Sequence, residues 1–518
     1  MLIEHNVVQK NPRKVDVRFA SCYPNLYKSA MSSLGYHIIY DFLNSREDVY
    51  CERVVYPYPK SLESNTSLNS FDLIGFSLQY EQDYFKVLSM LDKGNIPIRC
   101  VDRTSKDPLV IAGGPCATAN PIPMSSFIDL FIVGEAEVIL DDVVDLYLEL
   151  DDPRKDIEAF LDIEGVYVPD NPVKRCIVKD MDDACHPIRQ VVPETIDKRF
   201  IPAFGRTFLL GISRGCSRGC RFCMSGYLYR PRRETSLKKL IRIAEKGRNA
   251  TGLNKFALIG AAVSDYSKID ELAEKLLERE FKLTTPSLRT ETVTPRLIDS
   301  LDKSGLKTIT LAPESTFSIR KCLNKDFDDD NLISISKMAF ERDMNIKYYF
   351  LLGTPGESLE DLREMLELIR NLRKIAPRKN MVKLSINPLI PKSHTPFQWM
   401  QFNYEDVKSK ISYINKNLGY KSLKIENLKA AFIQYILSIG DSNLGDLIEK
   451  SWHSRININE WTKYTKTLNY DLETILPWEN IDVGVKKEFI KNEYKKMIHG
   501  EVTSWCEEYG CYKCGSCS

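Results

Sequence analysis

"GISRGCSRGCRFCMSG", residues 211–226, places Cys216, Cys220 and Cys223 in a C-x3-C-x2-C spacing. Thiolates are soft ligands suited to iron–sulfur clusters or zinc. Such sites ordinarily take four protein ligands. Three cysteines on one loop hold three irons of a cubane and leave the fourth iron open to nitrogen and oxygen donors of a small molecule. Zinc completed by a distant histidine is the alternative; the chain has six histidines, none of them near this loop.

The loop follows the first of six alternating units. Apolar runs near 207–212, 255–260, 282–286, 307–311, 346–351 and 381–386 predict strands, and 236–249, 267–279, 295–304 and 358–374 read as helices between them. Six βα units predict a partial (βα)6 barrel with its chemistry at the strands' carboxyl ends, where Cys216 falls. The first 135 residues alternate too. "KVDVRFA" (14–20), "FDLIGFSL" (71–78), "PLVIAGG" (108–114) and "DLFIVGEAE" (129–137) read as buried parallel strands, with helices such as "EQDYFKVLSMLDKG" between them. Ligands of such sheets bind beyond the carboxyl ends, here marked by Ser77, Gly113, Gly114 and Gly134. These glycines also suit plain βα turns. The expected organisation is an α/β, Rossmann-like domain at 1–150, a linker at 151–205, the partial barrel at 206–400, and a mainly helical, Cys-rich region at 401–518.

The bulk numbers agree with a multi-domain globular chain. Its 518 residues are 43% hydrophobic and 28% charged, and 72 Lys+Arg nearly cancel 71 Asp+Glu. That balance leaves no electrostatic footprint for nucleic acid. One basic stretch, "LYRPRRE" (228–234), reads as a solvated loop. No apolar run approaches the roughly 20 residues that cross a bilayer, and the first residues lack a secretory pattern. Seven of the fourteen cysteines sit in two tight clusters. In a chain of this length that pattern indicates metal sites and a cytoplasmic setting rather than disulfides.

The three-cysteine loop, with Phe222 before its last cysteine and a strand before its first, resembles the radical S-adenosylmethionine (SAM) superfamily. The resemblance implies a [4Fe-4S] cluster whose open iron is chelated by SAM, and one-electron cleavage of SAM to a 5′-deoxyadenosyl radical. "FALIGAAVSDYS" (256–267) falls where that family contacts the SAM amino group, with Gly260-Ala261-Ala262 in place of the usual Gly-Gly-Glu; Gly260 and Ser264 are the candidates there. "PSLRTETVTP" and "TLAPES" place Ser287, Arg289 and Glu314 at the next strand ends. An arginine at that place can pair with the SAM carboxylate, and a glutamate can accept from the ribose hydroxyls. Direct pairing of Arg289 with Glu314 is the competing expectation. His394, in "VKLSINPLIPKSHTPFQW", reads as structural.

The amino-terminal pattern, carried by "GFSLQYE", "VIAGGPCATANPIP" and "DLFIVGEAE", resembles the cobalamin-binding domain found ahead of some radical SAM barrels. Ser77, Gly113, Gly114, Gly134 and Glu135 are the residues it implies around the cofactor's nucleotide tail. The Asp-x-His-x-x-Gly motif that brings a histidine to cobalt is absent, and His37 falls inside an apparent helix, so bound cobalamin is expected without a histidine ligand. Together these resemblances imply a cobalamin-dependent radical SAM methyltransferase acting on an unactivated carbon of a protein or small molecule. One member of that group methylates the α-carbon of a glutamine in methyl-coenzyme M reductase. An electron donor such as ferredoxin or flavodoxin is implied; a membrane or nucleic-acid partner is not. The alternatives are a methylthiotransferase-like or other radical SAM enzyme without bound cobalamin, and an electron-transfer protein.

"SWCEEYGCYKCGSCS" (504–518) sets Cys506, Cys511, Cys514 and Cys517 as C-x4-C-x2-C-x2-C. Four thiols in twelve residues suit a second iron–sulfur cluster, a mononuclear iron or zinc; a reduced, mobile tail is the plain alternative.

Overall fold

The computed structural model describes residues 2–419, 423–454 and 456–517. Its first sheet has six strands in the spatial order Val49–Val55, Val17–Tyr23, Leu73–Ser77, Leu109–Gly113, Leu130–Ile132 and Val166–Tyr167. The first five are parallel and the last antiparallel. This is a doubly wound order, with its switch point between the strands ending at Tyr23 and Ser77. Strand 49–55 was not expected, because "VYCERVV" carries two charges. All seven residues are buried, and the charges are neutralised in place. Glu52 pairs with Arg18 at 2.7 Å, and Arg53 with Glu4 and Glu63 at 2.7 and 2.6 Å.

The second alternating region forms the expected open barrel. Strands Phe208–Gly211, Lys255–Ile259 and Lys282–Thr284 make one parallel sheet; Thr308–Glu314, Asn345–Leu352, Val382–Pro388 and Leu423–Ile425 make another. A parallel bridge between Leu288 and Leu311 joins the two. The seventh strand, 423–425, lies in the region expected to be helical and is only three residues long. Helices Leu237–Thr251, Ile269–Leu277, Pro295–Lys303 and Leu359–Ile375 cover the outside. Ser236, Thr294 and Ser358 cap their first turns. Phe208, Leu210, Phe256, Leu258, Ile309 and Ile346 fill the shared core, at about 1.5–3 kcal/mol of hydrophobic stabilisation for each such side chain.

Residues 151–205, expected as a linker, are woven into the rest. Val166–Tyr167 closes the edge of the first sheet, Val173–Lys174 pairs with Ile481–Asp482, and Val192–Glu194 pairs with Ile3–His5. Short β stretches between prolines pair with distant partners that no local pattern reveals. After the barrel the chain is mainly helical, with helices 404–418, 428–439, 444–452, 458–464 and 487–499. These return to the first domain: Phe432, Ile436, Trp461 and Trp478 share one core with Ile74, Phe76 and Leu91. Gln434 donates to Glu81 at 2.9 Å, and Asn120 to the Gly440 carbonyl at 2.9 Å. No helix among the described residues is long and apolar enough to cross a membrane.

Candidate functional site

The cysteine loop begins where the first barrel strand runs out. Ser213–Arg214 pairs antiparallel with Arg233–Glu234, and this ribbon closes the loop at its base. Gly215 sits at φ 78°, and a side chain there would collide with the carbonyl oxygens of Tyr229 and Pro231. Only glycine permits so tight a turn.

Cys216 and Cys220 are buried and Cys223 is half-buried. The backbone N–H of Arg218 points at Cys216 and that of Gly226 at Cys223. Burial pushes the Cys223 thiol up to about 12, with Cys220 and Cys216 adding to the shift. Bound iron reverses that preference and takes thiolates outright.

Arg289 leans over the loop. Its Nη1 donates to Cys220 Sγ at 3.3 Å and its Nη2 to Glu291 at 2.5 Å. Its Nε makes no hydrogen bond and faces Asp265 Oδ2 at 3.9 Å, while Glu291 Oε2, Thr290 Oγ1 and Ser315 Oγ, all buried, make no hydrogen bond either. A buried polar atom left unpaired costs about 1–3 kcal/mol, so this group of unfilled atoms fits a polar, charged ligand against Cys220. Arg289 does not pair with Glu314, which removes that expectation. Glu314 instead accepts from Lys325 at 2.9 Å at the end of its strand, held at φ 65°. Burial raises the Glu314 carboxyl, while Lys325 opposes the shift.

Ser264 ties two strand ends together. Its hydroxyl accepts from Arg289 N–H at 3.0 Å and lies 2.9 Å from Thr292 Oγ1. Gly260 has no room for a side chain beside Ser213 Oγ. Ser287 is exposed. Phe222 packs on the small apolar cluster of Ile319, Leu323 and Phe397.

Ser77, Gly113, Gly114, Gly134 and Glu135 come together with Gly260. All line a cavity of about 380 Å³ that runs from the first sheet to the barrel, and Ser225 and Tyr229 of the cysteine loop line it too. Gly134, at φ 123°, abuts the backbone of Cys176 so closely that any side chain would overlap it. The cavity walls are largely apolar, Phe19, Ile38, Ile111 and Ile132 among them, and would suit the body of a large nucleotide-tailed cofactor. Glu135 faces inward from this rim. It accepts from Arg233 at 2.7 Å and from Val178 N–H at 2.8 Å, and pairs with Arg214 at 3.0 Å. Burial opposes its charge, but the two arginines outweigh it and hold the carboxyl below the usual range. Glu135 thereby fastens the first domain to the base of the cysteine loop. His37 lies in the helix Leu34–Ser45, as its sequence setting predicted, with Nε2 3.3 Å from the Met31 carbonyl.

The "LYRPRRE" stretch is no solvated loop. Arg230 and Arg233 are buried, and Arg232 pairs with Glu234 at 2.7 Å and with Glu507 at 2.5 Å. Their partners come from the first domain and the carboxyl-terminal tail, which local charge density does not disclose. Asp265 is likewise silent in sequence; it takes both Nε and Nη2 of Arg218, at 2.8 and 3.1 Å.

Among the described residues no three His, Cys, Asp or Glu side chains converge as the ligands of one ion do. The thiolates of a cubane sit on separate irons and so stand farther apart than the ligands of one ion.

Comparisons with known proteins meet this geometry. The family model "Radical SAM superfamily" matches residues 210–369, and "Radical SAM proteins, N-terminal" matches residues 35–169. The uncharacterized protein MJ0966 of Methanocaldococcus jannaschii is 33% identical over 439 residues, covering 83% of this chain and 90% of its own. Among solved structures, the radical S-adenosylmethionine methyltransferase TsrM from Kitasatospora setae, with cobalamin and a [4Fe-4S] cluster bound, superposes with a TM-score of 0.52. It is 12% identical, over 74% of this chain and 73% of that one, so the likeness is one of fold.

Proposed function

Because the chain belongs to the radical SAM superfamily, we propose that it is a cobalamin-dependent methyltransferase acting on an unactivated carbon. The observation that carries this reading is the cavity itself: the carboxyl ends of the first sheet and of the barrel's first two strands open onto one apolar space beside the cysteine loop. TsrM, of similar fold, binds cobalamin and a [4Fe-4S] cluster.

Cys216, Cys220 and Cys223 would hold the cluster, and Gly260, Ser264 and Arg289 would flank SAM at the open iron. When bound, the cluster supplies the electron that cleaves SAM to the 5′-deoxyadenosyl radical, and methylcobalamin supplies the methyl group. Every other task falls to side chains. The Nε of Arg289, free of hydrogen bonds, offers a charge-assisted hydrogen bond to a carboxylate, and the Glu314–Lys325 pair closes the fourth strand end beside it. Arg218, locked on Asp265 and stacked 3.7 Å over Trp505, keeps water from the loop's outer face. Gly113 adds no side chain to the cavity wall where the corrin's nucleotide tail would run, and His186, the histidine on that wall, accepts at its Nε2 from the Gly211 N–H at 3.1 Å. The substrate is a protein or a small molecule, and the glutamine α-carbon of methyl-coenzyme M reductase is the first to try.

Anaerobic reconstitution with hydroxocobalamin, iron and sulfide tests the reading. The expected protein carries stoichiometric cobalt and releases 5′-deoxyadenosine on reduction. Gly113→Val, whose new methyls would enter the cavity, should lose cobalt and keep its iron. Wild-type protein that makes deoxyadenosine but never retains cobalt would instead be a radical SAM enzyme of the methylthiotransferase-like kind or another without corrin.

A further inference from the structure

The carboxyl-terminal cysteines stand outside the machinery described so far, yet the tail that carries them is neither loose nor remote. Lys513 N–H donates to Cys511 Sγ at 3.3 Å. The Ser516 N–H points at Cys514, whose Sγ lies 3.6 Å from Ser516 Oγ. In each C-x2-C segment, then, the N–H two residues on is aimed at the first sulfur, as Arg218 N–H is at Cys216. Lys513 takes φ 55° within its turn, and Gly510 and Gly515 take 101° and 105°. A free tail has no cause to hold a lysine in the left-handed region.

The tail is also pinned. Lys486 N–H donates to the Cys514 carbonyl at 2.8 Å, and Ser516 Oγ to the Gly484 carbonyl at 3.1 Å. Its pins reach the first cysteine loop directly. Arg230 donates to the Ser217 carbonyl at 3.4 Å and to the Gly226 carbonyl at 2.8 Å, and its guanidinium also lies against Cys514. One guanidinium therefore separates Cys514 from the residue next to Cys216. Asn324 bridges likewise, donating to the Arg218 and Gly219 carbonyls at 3.2 Å and accepting from Thr503 N–H at 2.8 Å. Exposure runs the other way: Cys511 and Cys517 are exposed, whereas Cys216 and Cys220 are buried.

We propose that Cys506, Cys511, Cys514 and Cys517 hold a second, fully ligated iron–sulfur cluster, which receives electrons at the surface and passes them to the buried three-cysteine site. Four thiols in twelve residues, the first three in a ferredoxin-like spacing, suit an iron–sulfur cluster. With four protein ligands it has no open iron and binds no SAM. In each transfer an external reduced flavodoxin or ferredoxin gives up one electron to the tail cluster, which is reoxidised as the loop cluster takes that electron. No proton or atom moves. The electron-inlet role rests on the radical SAM reading; the metal site does not.

Reconstitution with ferrous iron and sulfide, followed by iron and zinc analysis, tests the site. Wild type should bind about eight irons, and both Cys511→Ser/Cys517→Ser and Cys216→Ala/Cys220→Ala about four. The second variant keeps the tail intact and should show a reducible cluster whose EPR signal ignores SAM. Four irons in wild type, an undiminished count in the tail variant, zinc in place of iron, or no reducible cluster in Cys216→Ala/Cys220→Ala each overturns the site. For the inlet, the tail variant should cleave SAM normally with dithionite and at least tenfold more slowly with reduced flavodoxin. Equal rates with flavodoxin, or equal losses with both reductants, overturn the inlet. If wild type holds both clusters and neither reductant yields deoxyadenosine, the radical reading falls while the tail cluster stands.

Discussion

Each cysteine cluster has an arginine against one of its sulfurs, and the two arginines are used differently. Arg289 donates to Cys220 and Glu291 and leaves a buried Nε without a hydrogen bond, 3.9 Å from Asp265. Arg230, against Cys514, spends its other donors on the Ser217 and Gly226 carbonyls. The first site is short of one ligand and surrounded by unfilled polar atoms; the second has its four thiols and no idle arginine donor among those described. An unfinished polar shell marks a place where something else binds, and a finished one marks a part of the frame. Exposure differs in part: Cys216 and Cys220 are buried, whereas Cys511 and Cys517 are exposed beside a buried Cys514.

Three experiments press on that contrast. The largest effect is expected from Cys220→Ala, which should abolish deoxyadenosine formation while the irons of the tail remain; loss of all iron would mean that the two sites are one. Next comes Arg289→Met. Removing a hydrogen bond to a charged group costs about 1.5–3 kcal/mol, so SAM affinity by equilibrium binding should weaken roughly 10- to 100-fold with the iron count unchanged. Unaltered affinity would mean that the idle Nε serves no ligand.

The smallest effect concerns the frame that holds both sites. Burial, opposed in each case by a backbone hydrogen bond, lowers His37, His186 and His394 to about 4. The unfolded chain takes up these protons near pH 6.5 and the folded chain only near 4, so stability is complete above about pH 6.5 and falls as pH drops through that window. By pH 5.5 the loss is about 1 kcal/mol per histidine, read as a lowered melting temperature. His37→Leu should flatten the slope by about one histidine's share; an unchanged slope would show that other groups set it.

Much of the architecture is legible along the chain because its signals are local. Buried parallel strands must be apolar runs, so the six barrel strands and four strands of the first sheet announce themselves. Strand 49–55 does not, since Glu52 and Arg53 are affordable inside only through partners at Arg18, Glu4 and Glu63. The "LYRPRRE" arginines mislead for the same reason. Arg233 meets Glu135 across 98 positions and Arg232 meets Glu507 across 275.

The sequence alone set out the two candidate ligand sets, three cysteines on one loop and four in the tail, since a chelate spacing is a matter of a few adjacent residues. It determined the alternation that builds the sheet and the open barrel as well. Only the tertiary structure decided that Glu135 would be a fastening, that Glu314 would take Lys325 and leave Arg289 unfinished, and that the tail would lie one guanidinium from the first loop. Charge pairing inside a protein depends on which groups lose water together, and that is a property of the folded neighbourhood.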